Sequence, residues 1–338
     1  MKDIKKTTRI KKWIFCLILI IMPILFFSSI ELVLMVAKID FIMPIRIIIS
    51  GTDWREYHMF NDENFVPDPY LFWRLRPSKF INSKGFIGPE FSLIKPRGVF
   101  RIFCLGDSNT MGSQDSSYPM ALTEITRNKP ISPIQFEVLN GGTSGYTSLQ
   151  GYRLFAEIIK YKPDLVTICF GWNDTCYVKR APDKNFKPVN RPTLYLERFM
   201  YKFKTYQFLK YICYTAKYSI FKRKYTSVLE RRVSLDDYRA NLVAMVSLAN
   251  KGGIKLLFIT RPCNLEREPW MRSFIKDTKT YNNVMRDVAT SLKVDLIDGD
   301  DMFWGHPEYF FDSCHFNSVG HKLLAEEIYR HLSSYQSK

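Results

Sequence analysis

Five short, almost continuously apolar runs, at 99–105, 134–139, 164–170, 254–260 and 294–298, alternate with segments of helical period at 118–128, 149–161, 235–251, 278–292 and 318–334. A strand that is apolar along its whole length has both faces covered, as in a parallel sheet between helical layers. The alternation implies the same arrangement from connectivity, because parallel strands need crossovers and helices supply them. The expected fold class is therefore α/β, with a mostly parallel five-stranded sheet. Leu323, Leu324, Ile328 and Leu332 recur at helical spacing and give the last helix its buried stripe.

A different kind of segment precedes this pattern. Residues 1–12 hold six Lys/Arg and one Asp, and Trp13 to Ile30 is a run of 18 residues without a charge. As a helix, 13–35 would be roughly 34 Å long at about 1.5 Å per residue, which matches a bilayer core. The positive flank comes first, so the expected topology is single-pass with the N-terminus cytoplasmic and the α/β domain periplasmic or extracellular. A cleaved signal peptide is the alternative, but the apolar block is long and no small-x-small site follows it. The expected organisation is a basic tail at 1–12, a transmembrane anchor at 13–37, a neck and lead-in at 38–98, and the α/β domain at 99–338 with an insert at 175–233.

Net charge is +16, and beyond residue 12 the chain still carries 43 basic against 32 acidic residues, a net of +11. A basic surface suits anionic lipid, an acidic polymer or nucleic acid. No finger spacing, RNP-like motif or dense arginine stripe is present, so nucleic acid is not an expected partner. Seven cysteines without a CxxC pair define neither a metal site nor a disulfide framework. The insert is the most basic stretch: residues 198–224 hold eight Lys/Arg, no acid and nine aromatics. On a helical wheel Arg198, Lys202, Lys210, Lys217 and Lys224 share a side. That pattern reads equally as a lid, as a helix on anionic lipid, or as a solvated face over a local core.

Four polar clusters follow four strand ends. They are Gly106-Asp107-Ser108, Asn140 to Ser148, Gly171-Trp172-Asn173-Asp174, and Asp312-Ser313-Cys314-His315. In an open α/β sheet the carboxyl ends of the strands line one edge, where ligands bind. At that edge the clusters supply a hydroxyl nucleophile, an imidazole base, a carboxylate to orient the base and N–H donors for an oxyanion. Asp107 and Asp174 read as braces of their turns, and His321 and His331 as surface residues of the last helix.

In this order and spacing the four blocks resemble the SGNH, or GDSL-type, esterase/lipase hydrolases, over roughly residues 99–334. The resemblance implies a three-layer α/β/α, flavodoxin-like fold and no metal or organic cofactor. It implies Ser108 as nucleophile, His315 as general base and Asp312 as the group that orients His315. Gly145, five positions after Asn140, and Asn173 would donate N–H groups to the oxyanion. The lead-in at 66–91 looks like that of membrane-tethered members. Two positions depart from the family's pattern. Phe316 follows the histidine where proline is common, and Trp172 stands where small residues are common. Thr110 replaces the second glycine of GxSxG, so the α/β-hydrolase elbow is not the template.

The resulting expectation is a membrane-anchored serine esterase acting on a carboxylic ester of a small molecule, glycan or lipid, through an acyl-serine. Two rivals remain open at this stage. One is an O-acyltransferase that uses the same triad on a cell-envelope polysaccharide. The other is a non-catalytic binding module on a hydrolase scaffold.

Overall fold

The structure is a computed structural model that describes residues 2–42, 44, 55–60, 62–131, 134–178, 181–186, 190–225 and 230–334. Parts of the expected neck (43, 45–54 and 61) and of the expected insert (179–180, 187–189 and 226–229) lie outside the described residues. The chain begins with a single long helix, α1 (Lys2–Val36), whose stretch from Lys11 to Val36 is long and apolar enough to cross a membrane. The lead-in follows as a short helix, α2 (Arg55–Phe60), and an antiparallel hairpin of β1 (Phe65–Asp68) and β2 (Phe72–Leu75).

The α/β alternation then starts at β3 (Val99–Gly106), α3 (Ser108–Met111) and α4 (Tyr118–Asn128). It continues with β4 (Gln135–Asn140), α5 (Ser148–Ile158) and β5 (Leu165–Cys169). The insert forms β6 (Tyr177–Val178), α6 (Arg191–Met200), α7 (Lys204–Tyr225) and β7 (Glu230–Arg231), with β6 and β7 paired antiparallel. The alternation resumes with α8 (Leu235–Gly252), β8 (Lys255–Ile259), α9 (Arg272–Leu292), β9 (Asp295–Ile297), α10 (Gly299–Phe303) and α11 (Ser318–Ser334).

The central sheet has five parallel strands in the order β4-β3-β5-β8-β9. Numbered within the sheet this is 2-1-3-4-5, the doubly wound flavodoxin-like order, whose switch point lies between β3 and β5. The expected fold class is thus the observed one. Side chains alternate between two cores. Ile102, Cys104, Leu165, Cys169, Leu257 and Ile259 face α4 and α11, and Phe103, Leu105, Val166, Ile168 and Phe258 face α5, α8 and α9. The lead-in joins the second of these cores through Phe65, Trp73, Leu75, Phe86 and Phe91. Ile87 bridges Asn140 antiparallel, so the lead-in covers part of the otherwise free edge of β4.

Three expectations are corrected. Helix α9 begins at Arg272 rather than 278, because Ile275 is buried and extends the stripe of Thr278, Tyr281 and Met285 one turn further back. The 198–224 stretch is not one continuous helix, because it breaks at residues 201–203 between α6 and α7, so the single-wheel grouping of its cations does not hold. His321 is buried, not exposed: it starts the second turn of α11 and packs its ring edge-on against Phe316 at 5.6 Å.

Candidate active site

Ser108 stands where β3 ends. The extended Asp107 caps α3, its carboxylate accepting from the Asn109 N–H at 2.9 Å, so the chain turns into a helix at the serine. His315 comes from the loop ahead of α11, and Asp312 shapes that loop. One carboxylate oxygen of Asp312 accepts the backbone N–H groups of Cys314 and His315, both at 2.8 Å. The other lies 2.7 Å from His315 Nδ1, and His315 Nε2 lies 2.8 Å from Ser108 Oγ. Hydroxyl, imidazole and carboxylate thus form one hydrogen-bonded line across 207 residues of sequence.

Burial alone would favour the neutral Asp312. The hydrogen bonds from the His315 ring and from the two backbone N–H groups outweigh it and hold the carboxyl well below the usual carboxylate range. An ionised Asp312 at neutral pH accepts Nδ1–H and leaves Nε2 free to take a proton from the serine. The His315 and Asp312 side chains keep 39% and 33% of their surface open, so solvent reaches the base. Cys314 Sγ lies 3.4 Å from His315 Nδ1, but burial pushes its thiol well above the ordinary value. It is therefore a neutral thiol and a poor nucleophile or metal ligand. Sγ, the Asp312 carboxylate and the His315 ring form the one cluster of metal-ligand type among the described residues. Its carboxylate is already committed to the imidazole and the backbone.

The second and third clusters meet beside the serine. A Cβ on Gly142 would lie 2.2 Å from the Met111 nitrogen, so the loop after β4 packs directly on the serine's helix. Thr143 N–H also donates to the Gly106 carbonyl at 3.1 Å. Gly145 has φ +78°, and a Cβ there would press on Trp73 at 3.1 Å and on His58 at 3.2 Å, so both backbone and space require glycine. Asn173 Nδ2 donates one N–H to the Tyr146 carbonyl at 3.1 Å, leaving its second amide hydrogen for another acceptor. Among the described residues, the Ser108 and Gly145 N–H groups donate to no protein acceptor.

Several positioning groups gave no motif in the sequence. Arg232, at the end of the insert, donates to the Gly145 carbonyl at 2.7 Å and is paired with the buried Asp183 at 2.9 Å. Trp73 Nε1 donates to the Ser144 carbonyl at 3.1 Å, and Tyr146 Oη donates back to the Trp73 carbonyl at 2.5 Å. Insert and lead-in therefore clamp the Gly145 loop from two sides. Beneath the serine, the fully buried Arg261 binds Asp107 at 2.9 Å and the Cys314 carbonyl at 2.7 Å. A charge directly after an apolar strand, at the sheet edge that carries the clusters, was the signal that could have found Arg261. Asp174 accepts from Ser148 N–H at 2.9 Å and from its hydroxyl at 2.5 Å, and burial pushes its carboxyl up to about 7. It braces the start of α5. A wide groove of about 1240 Å³ runs along β4 and the lead-in, lined partly by Met111 and Gly112 but by no member of the triad.

The GDSL-like lipase/acylhydrolase family matches residues 104–323, and the chain belongs to that family. It is accordingly a hydrolase that cleaves ester bonds. Solved structures with similar folds include the acetyl xylan esterase AlAXEase, 18% identical, with a TM-score of 0.48 over 69% of this chain and 99% of that one. The lipase/acylhydrolase from Enterococcus faecalis is 21% identical, with a TM-score of 0.46 over 70% and 96%. A single-residue variant of Axe2, an acetyl xylan esterase from Geobacillus stearothermophilus, is 18% identical, with a TM-score of 0.43 over 68% and 93%. No curated protein matches the chain.

Proposed function

We propose that the protein is a membrane-anchored serine esterase with Ser108 as nucleophile, His315 as general base and Asp312 as the residue that orients it. The observation that carries the reading is the Ser108–His315–Asp312 line, with separations of 2.8 and 2.7 Å. His315 takes the serine proton as Oγ attacks the ester carbonyl. The Ser108 and Gly145 N–H groups and the Asn173 amide receive the oxyanion, each such donor being worth on the order of 3–4 kcal/mol. Collapse of the tetrahedral species breaks the bond to the alkoxide, which leaves as an alcohol with the proton held by His315. Water, deprotonated by the same imidazole, then releases the acid from the acyl-serine. Solvent at the half-open His315 supports water as the acceptor over a sugar hydroxyl. The anchor is α1, with the basic end in the cytoplasm and the triad facing the periplasm or the exterior, on the acyl groups of a surface glycan or lipid.

The test is turnover of p-nitrophenyl acetate and longer p-nitrophenyl esters by the full chain in detergent. Ser108→Ala and His315→Ala should each lower kcat by about a thousand-fold or more. Full activity in both variants would overturn the assignment of roles. Transfer of the acetyl group to an added oligosaccharide faster than to water would favour the acyltransferase.

A further inference from the structure

The end of α1 is held by the insert. Glu31 accepts the Lys204 N–H at 2.8 Å, the Thr205 N–H at 2.7 Å and the Thr205 hydroxyl at 2.8 Å, so a carboxylate on α1 caps the first turn of α7. Below this cap Ile30, Leu34 and Phe41 pack with Phe208, Tyr211 and Tyr214. Earlier residues of α1, from Lys11 to Ser29, are exposed, so α7 starts at the level of Glu31 and does not run back along the apolar span.

That contact fixes the height of the α6–α7 corner. Phe203 precedes the residue whose N–H binds Glu31, and it meets Phe199 edge to face at 5.3 Å. Leu196, Phe199 and Phe203 are exposed by 61%, 53% and 39%, beside an exposed Lys202. On α1, Leu32, Val33, Met35 and Val36, the residues that follow Glu31, are exposed as well. Exposed apolar side chains thus lie on both elements that the Glu31 contact joins, α1 just past Glu31 and the corner just ahead of Lys204, with an exposed lysine in the corner. Side chains of this type, aromatic and aliphatic with a cation at the edge, are those that settle at a headgroup–acyl boundary.

We infer that the α6–α7 corner is a membrane-surface seat in which Leu196, Phe199 and Phe203 enter the leaflet that α1 exits. This rests on the reading of α1 as a membrane span. The seat also reaches the active site through the protein. Arg198, on α6, donates to the carbonyls of Met59 and Asp62 at 3.2 and 3.3 Å, in the lead-in that carries His58 and Trp73 against Gly145. Membrane contact at one end of the insert and the Arg232 grip on Gly145 at the other set the height and tilt of the triad above the lipid.

The test uses the full chain reconstituted in phosphatidylethanolamine/phosphatidylglycerol vesicles containing a phospholipid with a photoactivatable diazirine high on its acyl chain. Cross-linked peptides are located by mass spectrometry. The expected result is label on both 32–36 and 196–203, with Trp270 and Phe311, exposed aromatics elsewhere, unlabelled. The double variant Phe199→Ser/Phe203→Ser should lose most of the label on 196–203, at least about five-fold, and retain p-nitrophenyl acetate turnover. Label on 32–36 with none on 196–203 overturns the seat and leaves the span intact. No label anywhere on α1 overturns the span itself. Equal label on Phe311 and Phe199 also overturns the seat, because the contact would then follow exposure and not position.

Discussion

The Asn109 side-chain oxygen accepts the backbone N–H of Phe316 at 2.9 Å. The residue after the serine is thereby tied to the residue after the histidine. On the other side of each, Asp107 and the Cys314 carbonyl are joined through Arg261. Two clasps thus bracket the 2.8 Å approach of Ser108 to His315. Only a residue with a backbone N–H, as Phe316 has and proline lacks, could close the first clasp.

Removing that clasp should act on geometry rather than on binding. Asn109→Ala is expected to lower kcat by roughly ten- to a hundred-fold, with KM within about two-fold, since small misplacements of reacting groups cost rates of that order. Asn109→Asp retains an acceptor and should recover most of the loss. Steady-state kinetics on p-nitrophenyl acetate check both.

The Asn173 amide already gives one N–H to Tyr146, and its second is assigned to the oxyanion. Asn173→Ala should lower kcat by about a hundred- to a thousand-fold while leaving KM nearly unchanged. The melting temperature of the variant should stay near that of the parent, because Asn173 is half-buried and its side chain's one described protein bond goes to a loop carbonyl. A variant that unfolds early would attribute the loss to structure instead.

Arg261 and Asp107 are both fully buried, so neither tolerates losing the other. Arg261→Met should destabilise the fold by about 3–5 kcal/mol, as expected when one charge of a buried pair is left behind. Adding Asp107→Asn to that variant should return part of the loss. Denaturant titrations of the two single variants and the double variant give the coupling.

His321 predicts a pH dependence of stability. Burial, with the nearby Arg261 and His315 adding repulsion, lowers its pKa from 6.5 to about 4. The unfolded chain therefore binds this proton before the folded one does. The group's stabilising contribution is complete above about 6.5 and is lost as pH falls toward about 4. His321→Gln should show a smaller fall in unfolding midpoint between pH 7 and pH 4.5 than the parent. An identical fall would remove His321 from the account.

Much of this architecture was legible before any coordinates. The five strands could be read because each is buried on both faces, and burial on both faces is written into continuous apolar sequence. The segment of helical period at 118–128 is the helix Tyr118–Asn128, whose first turn Ser117 caps and Pro119 opens. The first three clusters could be read because they are short polar turns at strand ends, and the fourth because it directly precedes the last helix. The break between α6 and α7 was not legible, since no proline or glycine falls in residues 201–203. Burial of His321 was not legible either, because helical period alone does not say how wide the covered face is.

The sequence by itself determined the class of fold, the edge of the sheet at which chemistry gathers, and the residue types available there. Those follow from local period and composition, which act over a few residues. Tertiary structure alone decided that Arg261 joins the serine and histidine segments, that Arg232 holds Gly145, and that Glu31 caps a helix 173 residues away. Such contacts depend on which surfaces meet when the layers close, and buried charges find partners by proximity in space, which no spacing along the chain records.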